Sequence, residues 1–169
     1  RHPDVSLISF TGSSEVGREV AIACAAEHKR VSLEMGGKNP ILVMEDADLD
    51  LAVDGAIWGG FGTSGQRCTA ASRLLVHKKV VKEFADRLVT KAQALRLGDG
   101  RLPTTDVGPV VNEAQLKRVH SYTKLGLKEG AKLLCGGEIS REGDCRKGFF
   151  YTPTVFGDVA PKMRIAQEE

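Results

Sequence analysis

Val5-Ser6-Leu7-Ile8-Ser9-Phe10-Thr11-Gly12-Ser13-Ser14-Glu15-Val16-Gly17 decides the fold class. Val5 to Thr11 reads as a buried strand, and Gly12 to Gly17 as a tight turn. Val16, Val20, Ala23 and Cys24 then recur at helical spacing, which predicts a helix from Ser14 to about Ala26. Strand, Gly-Ser turn and helix in that order aim free backbone N–H groups at a phosphate. The motif tests are less favourable. Arg18-Glu19 follows Gly17 where a P-loop needs Lys and Ser/Thr, and Ser14 stands where the second glycine of G-x-G-x-x-G belongs. From spacing alone, the turn is either a phosphate contact at Ser13 or an ordinary βα turn with a serine cap.

Further along, the same alternation continues. Val31 to Met35 and Asn39 to Met44 read as strands, and Asp46 as the N-cap of a helix from Ala47 to Gly60. Leu49, Val53 and Ile57 mark its inner face, and Trp58 reads as core. Ser72 to His77 is another strand, and Val80 to Leu95 an amphipathic helix on Val81, Phe84, Leu88 and Leu95. Gly98 to Pro109 is a loop. Asn112-Glu113-Ala114-Gln115 has the form of a capping box for a helix to about Glu129. Lys132 to Cys135 is a short strand, residues 138–148 an exposed hairpin tip or loop, and Tyr151 to Phe156 an extended segment. The class is therefore α/β, with a largely parallel sheet and flanking helices.

Composition narrows the function. The chain has 169 residues, 41% hydrophobic and 27% charged, as in a soluble globular domain with a core. A net charge of +2 and 5% aromatic residues give no argument for nucleic acid, and no apolar run is long enough to span a bilayer. Cys24, Cys68, Cys135 and Cys145 show no C-x-x-C spacing or histidine pair, so neither zinc nor a disulfide framework is expected. A reducing, cytoplasmic compartment suits them. The chain opens on Arg1 in mid-pattern and stops at Glu169 without a cap, and so reads as a piece of a longer polypeptide.

Two stretches carry candidate chemistry. Phe61-Gly62-Thr63-Ser64-Gly65-Gln66-Arg67-Cys68-Thr69-Ala70 places a cysteine after a Gly-rich turn, reachable by solvent and surrounded by backbone N–H groups. That setting makes a thiol a nucleophile. Leu33-Glu34-Met35-Gly36-Gly37-Lys38-Asn39-Pro40 places a lone carboxylate at a strand end, before two glycines that admit close approach. Glu34 is either a solvated strand-end carboxylate or, among its apolar neighbours, a general base. Gln66 and Arg67 read as turn-shaping residues, and Lys38 as a solvated lysine after a glycine turn, the alternative being a nucleotide-phosphate contact. A Cys/His pairing would need His77 or His120 beside Cys68. Cys24, Cys135 and Cys145 read as structural thiols.

Together, Glu34-Met35-Gly36-Gly37-Lys38-Asn39-Pro40 and Phe61-x-x-x-Gly65-Gln66-x-Cys68 resemble two signatures of the NAD(P)-dependent aldehyde dehydrogenase superfamily. Phe10 to Gly17 resembles the family's motif at the dinucleotide pyrophosphate. Gly108-Pro109, Gly136-Gly137 and Pro153-Thr154-Val155-Phe156 also look like family landmarks. The resemblance implies an aldehyde-dehydrogenase-like fold, with residues 1–35 closing a dinucleotide-binding domain and 36–169 forming most of a catalytic domain. It implies oxidation of a small aldehyde to a carboxylic acid with NAD or NADP and no metal. Cys68 would form a thiohemiacetal and then a thioester, and Glu34 would activate the hydrolysing water. Cofactor contacts would come from Gly12, Ser13, Val16, Glu34 and Gly36, and from Glu169, where a Glu-x-Phe-Gly-Pro motif would begin. The Gly65-to-Thr69 variant resembles branches acting on small semialdehydes. A homodimer or homotetramer is implied for the parent enzyme, whereas the isolated residues are expected to be poorly stable and inactive. Two alternatives are a CoA-acylating relative, a branch that typically lacks the base, and a relative kept as a structural protein.

Overall fold

The computed structural model describes residues 2–169. The chain divides into two compact units, Arg1–Gly37 and Lys38–Glu169.

The first unit is one βαβ turn of chain. Strand β1 (Leu7–Gly12), helix α1 (Ser14–Ala26) and strand β2 (Arg30–Met35) follow in order. β1 and β2 pair in parallel, with Phe10 opposite Leu33 and Thr11 opposite Glu34. A parallel pair needs a crossover, which α1 supplies. The helix lies close over the strands because Gly17 is buried there. A Cβ on Gly17 would stand 2.5 Å from Met35 Sδ and 3.6 Å from the Phe10 ring. The buried strand expected at Val5 to Thr11 alternates instead between half-buried and exposed, and Leu7 is 50% exposed. Within this unit a helix covers one face of the pair, and the other faces solvent.

The second unit opens on another parallel pair, β3 (Asn39–Val43) and β4 (Ala71–Val76), joined through α2 (Leu49–Phe61). Helix α3 (Val81–Gln93) follows. Val43, Val53, Ala56, Phe84 and Leu88 form the core, with Ile41, Ile57 and Leu74 packed against it. The cap of α2 is Asp48, not Asp46: its carboxylate accepts from the N–H groups of Asp50 and Leu51. Asp46 is spent in the turn that Ala47 N–H closes onto the Met44 carbonyl. On α3 the inner face runs Phe84, Leu88, Ala92, while Val81 at the first turn is 44% exposed. Trp58, expected in the core, is 68% exposed, with the Arg67 guanidinium 4.0 Å above its ring.

The loop after α3 is tied at its neck. Asp106 accepts from the backbone N–H, Nε and Nη2 of Arg96, beside a single bridge from Leu97 to Val107. Helix α4 (Glu113–Glu129) starts where the capping box placed it. Asn112 Oδ1 accepts from Gln115 N–H at 2.9 Å, and Gly130 ends the helix at φ 94°.

Four short strands complete the unit: β5 (Lys132–Cys135), β6 (Ile139–Ser140), β7 (Phe150–Tyr151) and β8 (Val155–Gly157). Helix α5 (Arg164–Gln167) follows them. β5 pairs with β8, and β6 with β7, both antiparallel. The extended segment expected from Tyr151 to Phe156 thus splits between two pairings at Thr152-Pro153-Thr154, because Pro153 has no N–H for a ladder. Residues 138–148 form the expected exposed hairpin tip between β6 and β7, within which the short turn Gly143–Lys147 buries Cys145. The largely parallel sheet appears as two parallel and two antiparallel pairs. Among the described residues, no helix is long and apolar enough to cross a membrane.

Candidate functional site

α2 ends at Phe61, and the chain then takes a short turn over Gly62–Gly65. Thr63, Ser64 and Gly65 lie in succession in the left-handed region, at φ 52°, 57° and 67°. For Thr63 and Ser64 this costs on the order of 1–3 kcal/mol each, so surrounding bonds must hold the turn. Ser64 Oγ donates to the Gly108 carbonyl at 2.9 Å, and Gln66 Oε1 accepts from Val111 N–H at 3.0 Å. Arg67 Nη2 donates to the Trp58 carbonyl at 3.1 Å, and Ala70 N–H closes onto the Arg67 carbonyl at 3.0 Å. Gln66 and Arg67 do shape the turn.

Cys68 sits inside that second turn, and its thiol is exposed. Cys24, Cys135 and Cys145 are free and buried. From β3, Asn39 Nδ2 donates to the Cys68 carbonyl at 2.7 Å and to the Ala70 carbonyl at 3.2 Å. Neither histidine is bonded to Cys68 among the described residues. His77 lies 3.9 Å from Glu45, and His120 Nδ1 lies 3.0 Å from the Tyr151 hydroxyl. That hydroxyl is itself 2.9 Å from both Thr123 Oγ1 and the Gly137 carbonyl, and its burial pushes the Tyr151 pKa up.

At the other end of the unit, Glu168 and Glu169 are held differently. The Glu168 carboxylate accepts from Arg164 and from the Tyr122 hydroxyl, which together bring its pKa down to about 2. Arg118 Nη2 donates to the Glu169 backbone carbonyl at 2.8 Å, while the exposed Glu169 carboxylate forms no ion pair among the described residues. Lys38, expected to be solvated, is half-buried. Burial, and then the Arg73 charge, pull its pKa below the usual lysine range, against the opposing pull of Glu169 and Glu168.

In the first unit the predicted residues gather at the carboxyl ends of β1 and β2, where open α/β sheets bind ligands. Ser13 caps α1, its Oγ accepting from Val16 N–H at 3.3 Å. Gly12 leaves space that a Cβ would fill at 2.5 Å from the Phe10 ring. Glu34 is exposed at the end of β2 opposite Thr11, and Gly36 follows two residues on. The apolar neighbours invoked for Glu34 do not flank its carboxylate within this unit. Pleating sends Leu33 and Met35 to the opposite face, where Met35 packs at Gly17.

The chain supplies one exposed thiol, one exposed strand-end carboxylate and a helix N-terminus open for an anion. Among the described residues, no group of three or more His, Cys, Asp or Glu side chains could hold a metal ion. Sequence reasoning missed Asn39, Ser64 and the partners at Gly108 and Val111. The only local signal was Gly65, whose left-handed φ suits glycine.

Comparison with known proteins adds to this geometry. The model of the aldehyde dehydrogenase family matches residues 1–169. A betaine aldehyde dehydrogenase of Rhizobium johnstonii is 45% identical over 99% of this chain and 34% of its own length. Human mitochondrial aldehyde dehydrogenase is 44% identical, over 99% of this chain and 32% of its own. A double mutant of Staphylococcus aureus betaine aldehyde dehydrogenase, in complex with NAD+ and with a BME-modified cysteine, superposes with a TM-score of 0.96. It is 38% identical and is covered over 34% of its chain. The chain thus spans about a third of the length of the relatives it matches.

Proposed function

Because the chain belongs to the aldehyde dehydrogenase family, we propose that it carries the nucleophile and the base of an NAD(P)-dependent oxidation of a small aldehyde to a carboxylic acid. The observation that carries this reading is Cys68: of four free cysteines it is the exposed one, on a turn held by bonds from several segments. A BME-modified cysteine in the S. aureus relative supports a reactive thiol in the family.

Cys68 sulfur bonds to the aldehyde carbon, and the Cys68 backbone N–H stabilises the oxygen that gains charge. Loss of hydride from that carbon, to NAD or NADP when bound, re-forms the carbonyl and leaves the acyl group on Cys68 as a thioester. Glu34 takes a proton from the water that attacks this thioester, releasing the acid and the thiol. The base is distinct from the nucleophile, so one fixed thiol can serve both half-reactions.

The residues at the β1–α1 turn fit a dinucleotide. Ser13 and the open start of α1 offer N–H groups to a pyrophosphate, and Val16, 44% exposed, offers an apolar surface. Gly36 allows close approach beside Glu34, and Glu169 would offer its exposed carboxylate to a ribose. When bound, NAD or NADP accepts the hydride leaving the substrate carbon. The S. aureus relative was solved with NAD+. Identities of 45% to a betaine aldehyde enzyme and 44% to the human mitochondrial enzyme do not separate substrates. The substrate class is therefore drawn at small aldehydes. Four free cysteines suit a reducing compartment such as the cytoplasm.

The test uses a polypeptide of the relatives' full length bearing these residues. Glu34→Gln should release one NAD(P)H per Cys68 and then stop, with the substrate's acyl mass on Cys68, and Cys68→Ser should release none. Sustained turnover by either variant overturns the assignment.

A further inference from the structure

We propose that Asn39 is the positioning residue of the nucleophile's turn, bracing the Cys68 peptide from β3. The inference rests on the reading of Cys68 as the nucleophile and goes beyond it, because the Asn39 side chain acts on the Cys68 and Ala70 carbonyls and not on the thiol itself.

β3 and β4 are out of simple register at this point. Asn39 pairs with Ala71 but Pro40 with Arg73, so β4 carries one extra residue, Ser72. Pro40, which lacks an N–H, is accommodated by that irregularity. The bulge leaves Asn39 level with the exit of the Cys68 turn. Its side-chain amide has two N–H donors, and each has a carbonyl: Cys68 at 2.7 Å and Ala70 at 3.2 Å. Other ties hold the approach to the cysteine, at Ser64, Gln66 and Arg67. Asn39 bonds the nucleophile's own peptide. Drawing both carbonyls to one amide sets the plane of the Cys68–Thr69 peptide, and with it the direction in which the Cα–Cβ bond of Cys68 leaves the turn. It also satisfies two carbonyl acceptors of the turn, the Cys68 carbonyl among them.

Alkylation by iodoacetamide of a polypeptide of the relatives' full length bearing these residues, followed at Cys24, Cys68, Cys135 and Cys145 by peptide mass analysis, tests this. Asn39→Ala should slow Cys68 by about tenfold relative to the parent chain. Asn39→Asp, which presents only acceptors to two carbonyls, should slow it at least as much. Asn39→Ser, whose hydroxyl stops one bond short of both carbonyls, should slow it by a similar factor. Cys24, Cys135 and Cys145 are buried, and their rates report general loosening of the fold. A Cys68 rate within twofold of the parent in Asn39→Ala overturns the proposal. So does an Asn39→Asp chain as fast as the parent, or a change shared equally by all four cysteines. If Asn39→Ala fails to fold, Asn39→Ser decides, and a rate equal to the parent's refutes the role. Only ratios between variants enter, so this result stands apart from the thioester test of Cys68 and Glu34.

Discussion

Two turns carry the candidate chemistry, and they are held in opposite ways. The turn at Gly12 to Val16 is closed by its own neighbours: Ser13 caps the helix it begins, three residues from its partner. The turn at Gly62 to Ala70 is closed from a distance. Its bonds run 29 residues back to Asn39 and 44 and 45 residues forward, to Gly108 and Val111. The first is an ordinary start to a helix that nearby residues make cheap. The second contains three left-handed residues in a row and persists because other segments hold it. A helix start can be built from local capping, whereas the exposed thiol here stands on a conformation that the local chain disfavours.

That contrast can be broken most severely at Gly65. A side chain there meets both a φ of 67° and the Gly60 carbonyl at 2.9 Å. Gly65→Val should cost about 3 kcal/mol in urea unfolding, and a loss below about 1 kcal/mol would show the turn to be pliable. In the other unit, Gly17→Val drives its branches against Met35 and should cost about 2 kcal/mol. Hydrogen exchange should quicken over residues 7–35 and stay unchanged over α3.

Removing single ties should cost less. Ser13→Ala and Ser64→Ala are each expected to lose about 1 kcal/mol, but by different routes. The first should fray α1 alone. The second should raise exchange at both Gln66 and Val111, and equal, purely local effects would erase the distinction drawn here.

The smallest effect is one of pH, at Glu168. Its carboxyl sits at about 2 against an ordinary 4.5, held by Arg164 and then by Tyr122. The unfolded chain therefore takes up a proton at a higher pH than the folded one. The stabilisation is complete above 4.5 and is lost as pH falls toward 2. Melting of the parent and of Glu168→Gln should differ at pH 6 and converge by about pH 2, and a constant gap would contradict this.

The same contrast explains what could be read from the residues. α4 was placed by its cap, Asn112, because capping acts over three residues, and α1 by the helical spacing of Val16, Val20, Ala23 and Cys24. Cys68 and Glu34 stood out through the glycines beside them. Asp46 misled because Asp48 offers the same chemistry two residues on, and only the turn at Met44 separates them. Trp58 misled because it stands one residue round the helix from Ile57, off the face that packs on the core. Glu34 was assigned apolar neighbours from adjacency along the chain, which in a strand places them on the opposite face. Asn39 could not be found at all: its task depends on a bulge and on carbonyls far along the sequence.

Long-range bracing also gives the thiol a history. Ribosomes add about 5–20 residues per second, so the stretch from Gln66 to Val111 takes roughly 2–9 s to make. Through that interval Cys68 has left the peptidyl transferase centre while its turn still lacks two of its anchors. The thiol is synthesised well before the turn that presents it is assembled.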